Sequence, residues 1–204
     1  MALVDSTLET ALFTIFSNMN SITDNGDRYM AKNVALAIKN FVLTATVSTT
    51  DVGTVSGTSS YSGKGTGTSG CFVIDDSQLE TDLFNAFTKE NVTDEDIKND
   101  MATSINDALS ESNIISTSTS GNLTSPSGVV SEYSGTGKGT FSGTKTIISN
   151  KLSDTFAEMR TLKSGGNELF AKDLAEAVGD FIRNGTITVQ LDTPITGTGV
   201  GSAA

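Results

Sequence analysis

Tyr61-Ser62-Gly63-Lys64-Gly65-Thr66-Gly67 returns later in the chain as Tyr133-Ser134-Gly135-Thr136-Gly137-Lys138-Gly139. A shorter form, Thr196-Gly197-Thr198-Gly199-Val200-Gly201, follows near residue 200. Each copy comes after the same succession: an amphipathic segment, a second amphipathic segment, and a β-branched run. The glycine tail is therefore the signature of a unit that is written out twice in full and a third time in part.

Working back from the first tail, Leu43-Thr44-Ala45-Thr46-Val47-Ser48-Thr49-Thr50 is β-branched and loosely alternating, which predicts a strand. Before it, Met30, Val34, Ala37, Ile38 and Phe41 fall at helical spacing, so residues 27–42 read as a helix. Leu8, Leu12, Ile15 and Met19 form an earlier stripe over residues 7–20, opened by the capping box Ser6-Thr7-Leu8-Glu9 and closed by Asp24-Asn25-Gly26. The tail itself, within residues 51–70, suits further strands with glycine turns or an ordered surface loop. Cys71-Phe72-Val73-Ile74 reads as a short apolar strand.

At one constant shift Ser6, Leu8, Glu9, Phe13 and Phe16 become Ser77, Leu79, Glu80, Phe84 and Phe87, and Met30, Ala31, Val34 and Ala37 become Met101, Ala102, Ile105 and Ala108. Thr93-Asp94-Glu95-Asp96 opens the second helix of this copy, acidic residues suiting the positive end of the helix dipole. Ile114 to Thr119 is the counterpart strand, and Thr146-Ile147-Ile148 matches the apolar Phe72-Val73-Ile74. In the third copy Leu152, Phe156, Met159 and Leu162 form the first helix face. Phe170, Leu174, Ala177, Val178 and Phe181 form the second, with Gly185 placed for a left-handed cap and Thr186–Leu191 as the strand.

The chain thus reads as α+β: tandem duplicated modules of two amphipathic helices followed by β-strands with Gly/Ser/Thr-rich loops. Module 1 spans 1–76, module 2, its duplicate, spans 77–149, and module 3, a truncated copy, spans 150–204. Two short helices bury little by themselves, so the modules are expected to share a core or to pack on neighbouring subunits.

Composition narrows the function. The 204 residues carry a formal charge of −11, which disfavours a direct nucleic-acid role, and the lysines and arginines form no basic cluster. There is no histidine, so histidine-based acid–base catalysis and histidine metal ligation are excluded. The single Cys71 cannot form an intrachain disulfide and reads as a small buried hydrophobe. No basic leader or long apolar run is visible, so neither a signal peptide nor a membrane span is expected.

The glycine tails fail the phosphate-loop pattern at both tests: Lys64 and Lys138 are each followed by glycine, and no glycine stands five before Gly63 or Gly137. The carboxylates sit at helix starts and turns, where solvated caps explain them, and no calcium-loop alternation is present. No catalytic residue, cofactor or metal is expected. The residues expected to act are subunit-contact segments in the tails: Tyr61, Gly63, Lys64, Gly65, Tyr133, Gly135, Gly137 and Lys138. Lys64 and Lys138 read first as exposed, solvated lysines, with pairing to carboxylates of a neighbouring subunit as the alternative. The tails are expected to order through main-chain contacts to other subunits.

Ala31-Lys32-Asn33-Val34-Ala35-Leu36-Ala37-Ile38-Lys39-Asn40-Phe41-Val42, then Thr/Val alternation, then Gly63-Lys64-Gly65-Thr66-Gly67, resembles small structural proteins of tailed bacteriophages. In those, an alanine-rich helix precedes a strand and a Gly/Thr tail, and Ala171 to Thr188 has the same look. The resemblance implies a non-enzymatic virion component, assembled in the host cytoplasm. It would be capsid-, neck- or tail-associated, with copies of itself and other virion proteins as partners and no direct contact with nucleic acid or membrane. The alternative is a cell-surface or carbohydrate-binding fibre or adhesin module. With no Trp, three Tyr, and most Phe on helix faces, core packing is favoured over sugar stacking.

Overall fold

The structure, a computed structural model, describes residues 3–204 other than 56, 57, 69, 73, 91 and 112–114. They form mixed helix and antiparallel sheet. The order is α1 (Asp5–Met19), α2 (Gly26–Val42), β1 (Val47–Val55), β2 (Ser59–Gly67), α3 (Asp76–Thr88), α4 (Asp94–Glu111), β3 (Ile115–Thr124), β4 (Val130–Ser142), α5 (Thr146–Met159), α6 (Gly166–Arg183), β5 (Thr186–Leu191) and β6 (Ile195–Ala203). Two helices and two strands thus alternate three times.

The strands close a barrel in sequence order, with β6 returning to β1 and every pairing antiparallel. The helices close a second ring: each packs on the next, and α6 packs back on α1. Val47 pairs with Gly67 and with Ala203, so the strand ends that join helices gather at one end of the barrel. The β1–β2, β3–β4 and β5–β6 connections lie at the other.

The amphipathic stripes dictate the helical ring. Leu8, Leu79 and Ile148 occupy like places in α1, α3 and α5 and are fully buried; Val34, Ile105 and Leu174 do the same in α2, α4 and α6. One continuous apolar cluster runs from the helices into the barrel mouth, where Phe141 of β4 stacks edge-on between Phe72 and Phe181, at ring distances of 5.9 and 5.4 Å. All three segments therefore contribute to one shared core.

Several expectations change. Cys71, Phe72 and Ile74 are not a strand but an irregular lead into α3 (Val73 lies outside the described residues), and Thr146-Ile147-Ile148 opens helix α5. Both apolar stretches turn inward because the next helix must dock its first turn on the core. The expected boundary at 149/150 consequently falls inside α5. The β-branched run begins its ladder at Val47 rather than Leu43, since Leu43, Thr44 and Ala45 still bond back to the last turn of α2. Residues 150–204 supply a full hairpin, with Thr196–Gly201 inside β6.

The capping boxes shift too. Asp5 starts α1 with no side-chain cap, and Asp75 caps α3 by accepting from the backbone N–H groups of Ser77 and Gln78. Gly185 does not adopt a left-handed backbone; its missing Cβ leaves room for the Phe141 ring, whose Cε2 would lie 2.0 Å from it.

Candidate functional site: barrel wall and lumen

The barrel is narrow, and its register says why. Stepping across paired residues from Asp51 through Gly199, Val189 and Gly139 reaches Ile115 on β3. Stepping the other way through Gly63 reaches Gly121, six positions further along the same strand. Six strands with that stagger enclose less space than the eight-stranded barrels whose interiors side chains just fill. Alternation then decides which residues face in. The tails read G-x-G-x-G, and period two puts their glycines on one face of the strand. That face is the lumen: Gly63, Gly65 and Gly67 on β2, Gly135, Gly137 and Gly139 on β4, Gly197, Gly199 and Gly201 on β6. Larger residues fill in from the strands between, as at Gly137, where an added Cβ would fall 2.4 Å from Val189 Cγ1.

The lumen is lopsided in chemistry. Ile187, Val189 and Leu191 of β5 and Ile195 and Ala203 of β6 make one side apolar. Thr49 and Asp51 of β1, Tyr61 of β2, and Thr117 and Thr119 of β3 make the other side polar, and all five are buried. Thr49 Oγ1 donates to Asp51 Oδ1 at 2.6 Å, and a 2.6 Å hydrogen bond joins the Tyr61 hydroxyl and Thr119 Oγ1. Asp51 Oδ2 and Thr117 Oγ1 have no hydrogen-bond partner among the described residues. Tyr133 closes the series, its ring edge-on to Tyr61 at 6.2 Å.

The outer wall is different again. It presents mostly Ser and Thr, with Lys64 and Lys138 exposed. Val52 and Val200 stand out from adjacent strands β1 and β6, each 54% exposed, and Val129 and Val130 project at the β3–β4 connection. The strands carry only two acidic residues, Asp51 in the lumen and Glu132. The chain's negative charge is therefore concentrated on helices and connections. Beside the wall, Thr66, Ser118, Thr136, Lys138 and Asp192 border a cleft of about 480 Å³. There Thr136 Oγ1 donates to Asp192 at 2.9 Å.

The expected contact residues thus separate by face. Tyr61, Gly63, Gly65, Tyr133, Gly135 and Gly137 point inward, and Lys64 and Lys138 point out. The main chain of β2 is paired on both sides within the chain over residues 60–66, whereas β4 is paired on both sides only at residues 137–139 and pairs with β3 alone over residues 130–136. In β2 main-chain contact to another subunit is therefore taken up, while in β4 the stretch that holds Tyr133 and Gly135 pairs with one strand only. Asp51 was missed by sequence reading. Its signal was a lone carboxylate on the inward phase of a Thr/Val alternation.

Cys71 is buried, burial pushes its thiol up from the ordinary value, and its Sγ donates to the Ala45 carbonyl at 3.8 Å. It serves as a small core residue. Among the described residues no three His, Cys, Asp or Glu side chains gather as a metal site, and no helix is long and apolar enough to cross a membrane. Comparison with known proteins finds no matching family model, no matching curated protein and no matching solved structure.

Proposed function

We propose that this protein is a non-enzymatic structural component that works by packing against copies of itself and other proteins in a symmetric assembly, with the outer barrel wall as the contact surface. The observation that carries this is the segregation of charge. The wall holds Lys64, Lys138, one exposed carboxylate, Glu132, and four exposed valines amid uncharged Ser and Thr, whereas the helical ring and connections hold nearly all the acidic residues of a chain with net charge −11. A neutral-to-basic end and an acidic end on one molecule favour head-to-tail contact, and a head-to-tail contact builds rings or stacks. The resemblance of residues 31–42 and their following tail to tailed-phage structural proteins supports a virion as the setting.

The threefold alternation of helix pairs and strand pairs supports reading the three segments as duplicated modules. Leu8, Leu79 and Ile148, and Ala31, Ala102 and Ala171, keep the same buried places. On that reading truncating Phe41 or Phe181, like-placed in α2 and α6, costs a similar amount of stability.

Sedimentation velocity of the full chain tests the assembly. Self-association that weakens as salt rises, and falls away in the Lys64→Glu/Lys138→Glu and Val52→Asp/Val200→Asp double variants, is the expected result. A wild-type chain that stays monomeric at every concentration tested, or variants that associate as wild type does, removes the wall as the contact surface.

A further inference from the structure

Among the described residues, Asp51 is the one carboxylate that the fold carries wholly out of water: it is 0% exposed, in the lumen, at the middle of β1. Its Oδ1 accepts from Thr49 Oγ1, but Oδ2 has no partner among the described residues, and neither has Thr117 Oγ1 on the same polar side. Among the described residues the ion pairs lie among the helices and their ends, as at Lys39–Asp76 and Arg183–Asp5, and Lys64 and Lys138 point away from the lumen. A buried carboxylate with no counter-charge costs several kcal/mol, far more than a missing hydrogen bond. A water molecule satisfies an oxygen but leaves the charge.

The strands on both sides of Asp51 leave it room. A Cβ at Gly65 would lie 2.7 Å from Oδ2, and one at Gly199 would lie 1.9 Å from Oδ1. The carboxylate is thus cradled between two glycines, with the Thr49, Thr117 and Thr119 hydroxyls and the Tyr61 hydroxyl on the same side of the lumen. All the available donors are hard oxygens, which select alkali and alkaline-earth cations over softer metals. The charge count selects further: a lone carboxylate balances one positive charge, and calcium sites draw on several carboxylates.

We propose that the barrel lumen binds a single monovalent cation, sodium in view of the narrow bore, anchored on Asp51 Oδ2 and completed by lumen hydroxyls. The ion neutralises the buried charge and ties β1 to the polar side of the barrel. Because the lumen is separate from the outer wall, this site stands whether or not the wall is an assembly surface.

The test is denaturation of the full chain at neutral pH in sodium chloride and in choline chloride of equal ionic strength, choline being too large to enter. At sodium about ten times its dissociation constant, the folded-to-unfolded ratio rises about tenfold over choline. Asp51→Asn, isosteric and uncharged, abolishes that difference. Equal stability of the wild type in the two salts overturns the proposal, and so does a sodium effect that survives in Asp51→Asn. Should Asp51→Asn fail to fold, equilibrium dialysis of the wild type against radioactive sodium decides: one ion per chain supports the site, and none overturns it.

Discussion

In the helical ring, Leu12, Ile38, Leu79, Leu83, Leu109 and Ile148 meet with no exposed surface and no polar atom among them. In the barrel, the buried residues include Thr49, Asp51, Thr117 and Thr119, and three successive inward positions on each of β2, β4 and β6 are glycine. The ring is held by apolar area and by the freedom of large side chains to interdigitate. The barrel is held by its closed ladder of main-chain hydrogen bonds, and its side chains mainly avoid obstructing closure. Two halves of one chain therefore tolerate opposite kinds of change: the ring resists losing atoms and the barrel resists gaining them.

Deleting atoms from the ring sets the upper end of the scale. Phe181 is fully buried, packs edge-on against Phe141 at 5.4 Å, and sits over Gly143, where an added Cβ would lie 2.2 Å from its ring. Phe181→Ala is expected to cost roughly 3–5 kcal/mol in chemical denaturation, with Phe41→Ala in the same range. A loss under about 1 kcal/mol for either would mean that the ring relaxes into the cavity, and the contrast with the barrel would weaken.

Adding one atom to the barrel comes next. Gly199→Ala puts a Cβ 1.9 Å from Asp51 Oδ1, the oxygen that the Thr49 hydroxyl holds in place by a 2.6 Å hydrogen bond. Overpacking of this kind costs about 1–3 kcal/mol. Asp51→Ala in the same chain removes the obstacle, so the double variant is expected to be less impaired than the two single losses combined. Additive losses would show that the two positions do not meet in the lumen.

The helices were legible because hydrophobic spacing reports burial directly: Leu8, Leu12 and Ile15, and Val34, Ile38 and Phe41, all face the core as their spacing predicts. The barrel was half legible. Ser/Thr/Gly composition allowed strand or loop, and the deciding signal was the phase of the glycines. Gly63-x-Gly65-x-Gly67 places every glycine on one face, which only a crowded interior requires. Closure itself was not readable, because the β1–β6 pairing joins residues that only the fold brings together. Phe72 and Ile148 misled for a related reason: an apolar pair looks alike whether it is a buried strand or the first turn of a docking helix. Asp51 escaped notice because, among 24 acidic residues, its one signal is its phase in the Thr/Val alternation, and which phase faces inward is set only when the barrel closes.

The smallest expected effect lies on the ring's rim, where ion pairs add to the packing that joins successive helix pairs. Lys39 Nζ of α2 donates to Asp76 Oδ1 at the start of α3, at 2.8 Å, and Arg183 of α6 makes two 2.8 Å bonds to Asp5 at the start of α1. The hydrogen bond from Lys39 holds the Asp76 carboxyl below its ordinary value of 3.8. A carboxyl depressed on folding stabilises the fold above its unfolded value, and that contribution disappears as pH falls through the lower folded value. Lys39→Met keeps the aliphatic stem and removes the partner. With both side chains about one-third exposed, water screens the pair, and the loss at neutral pH is expected to be at most about 1 kcal/mol. The variant's deficit should be constant from neutral pH down to about 4 and then close below it, since wild type loses the same interaction in acid. Urea denaturation of both proteins between pH 2 and 7 checks this. A deficit that persists unchanged in acid would mean that Lys39 acts through the packing of its stem and not through its charge.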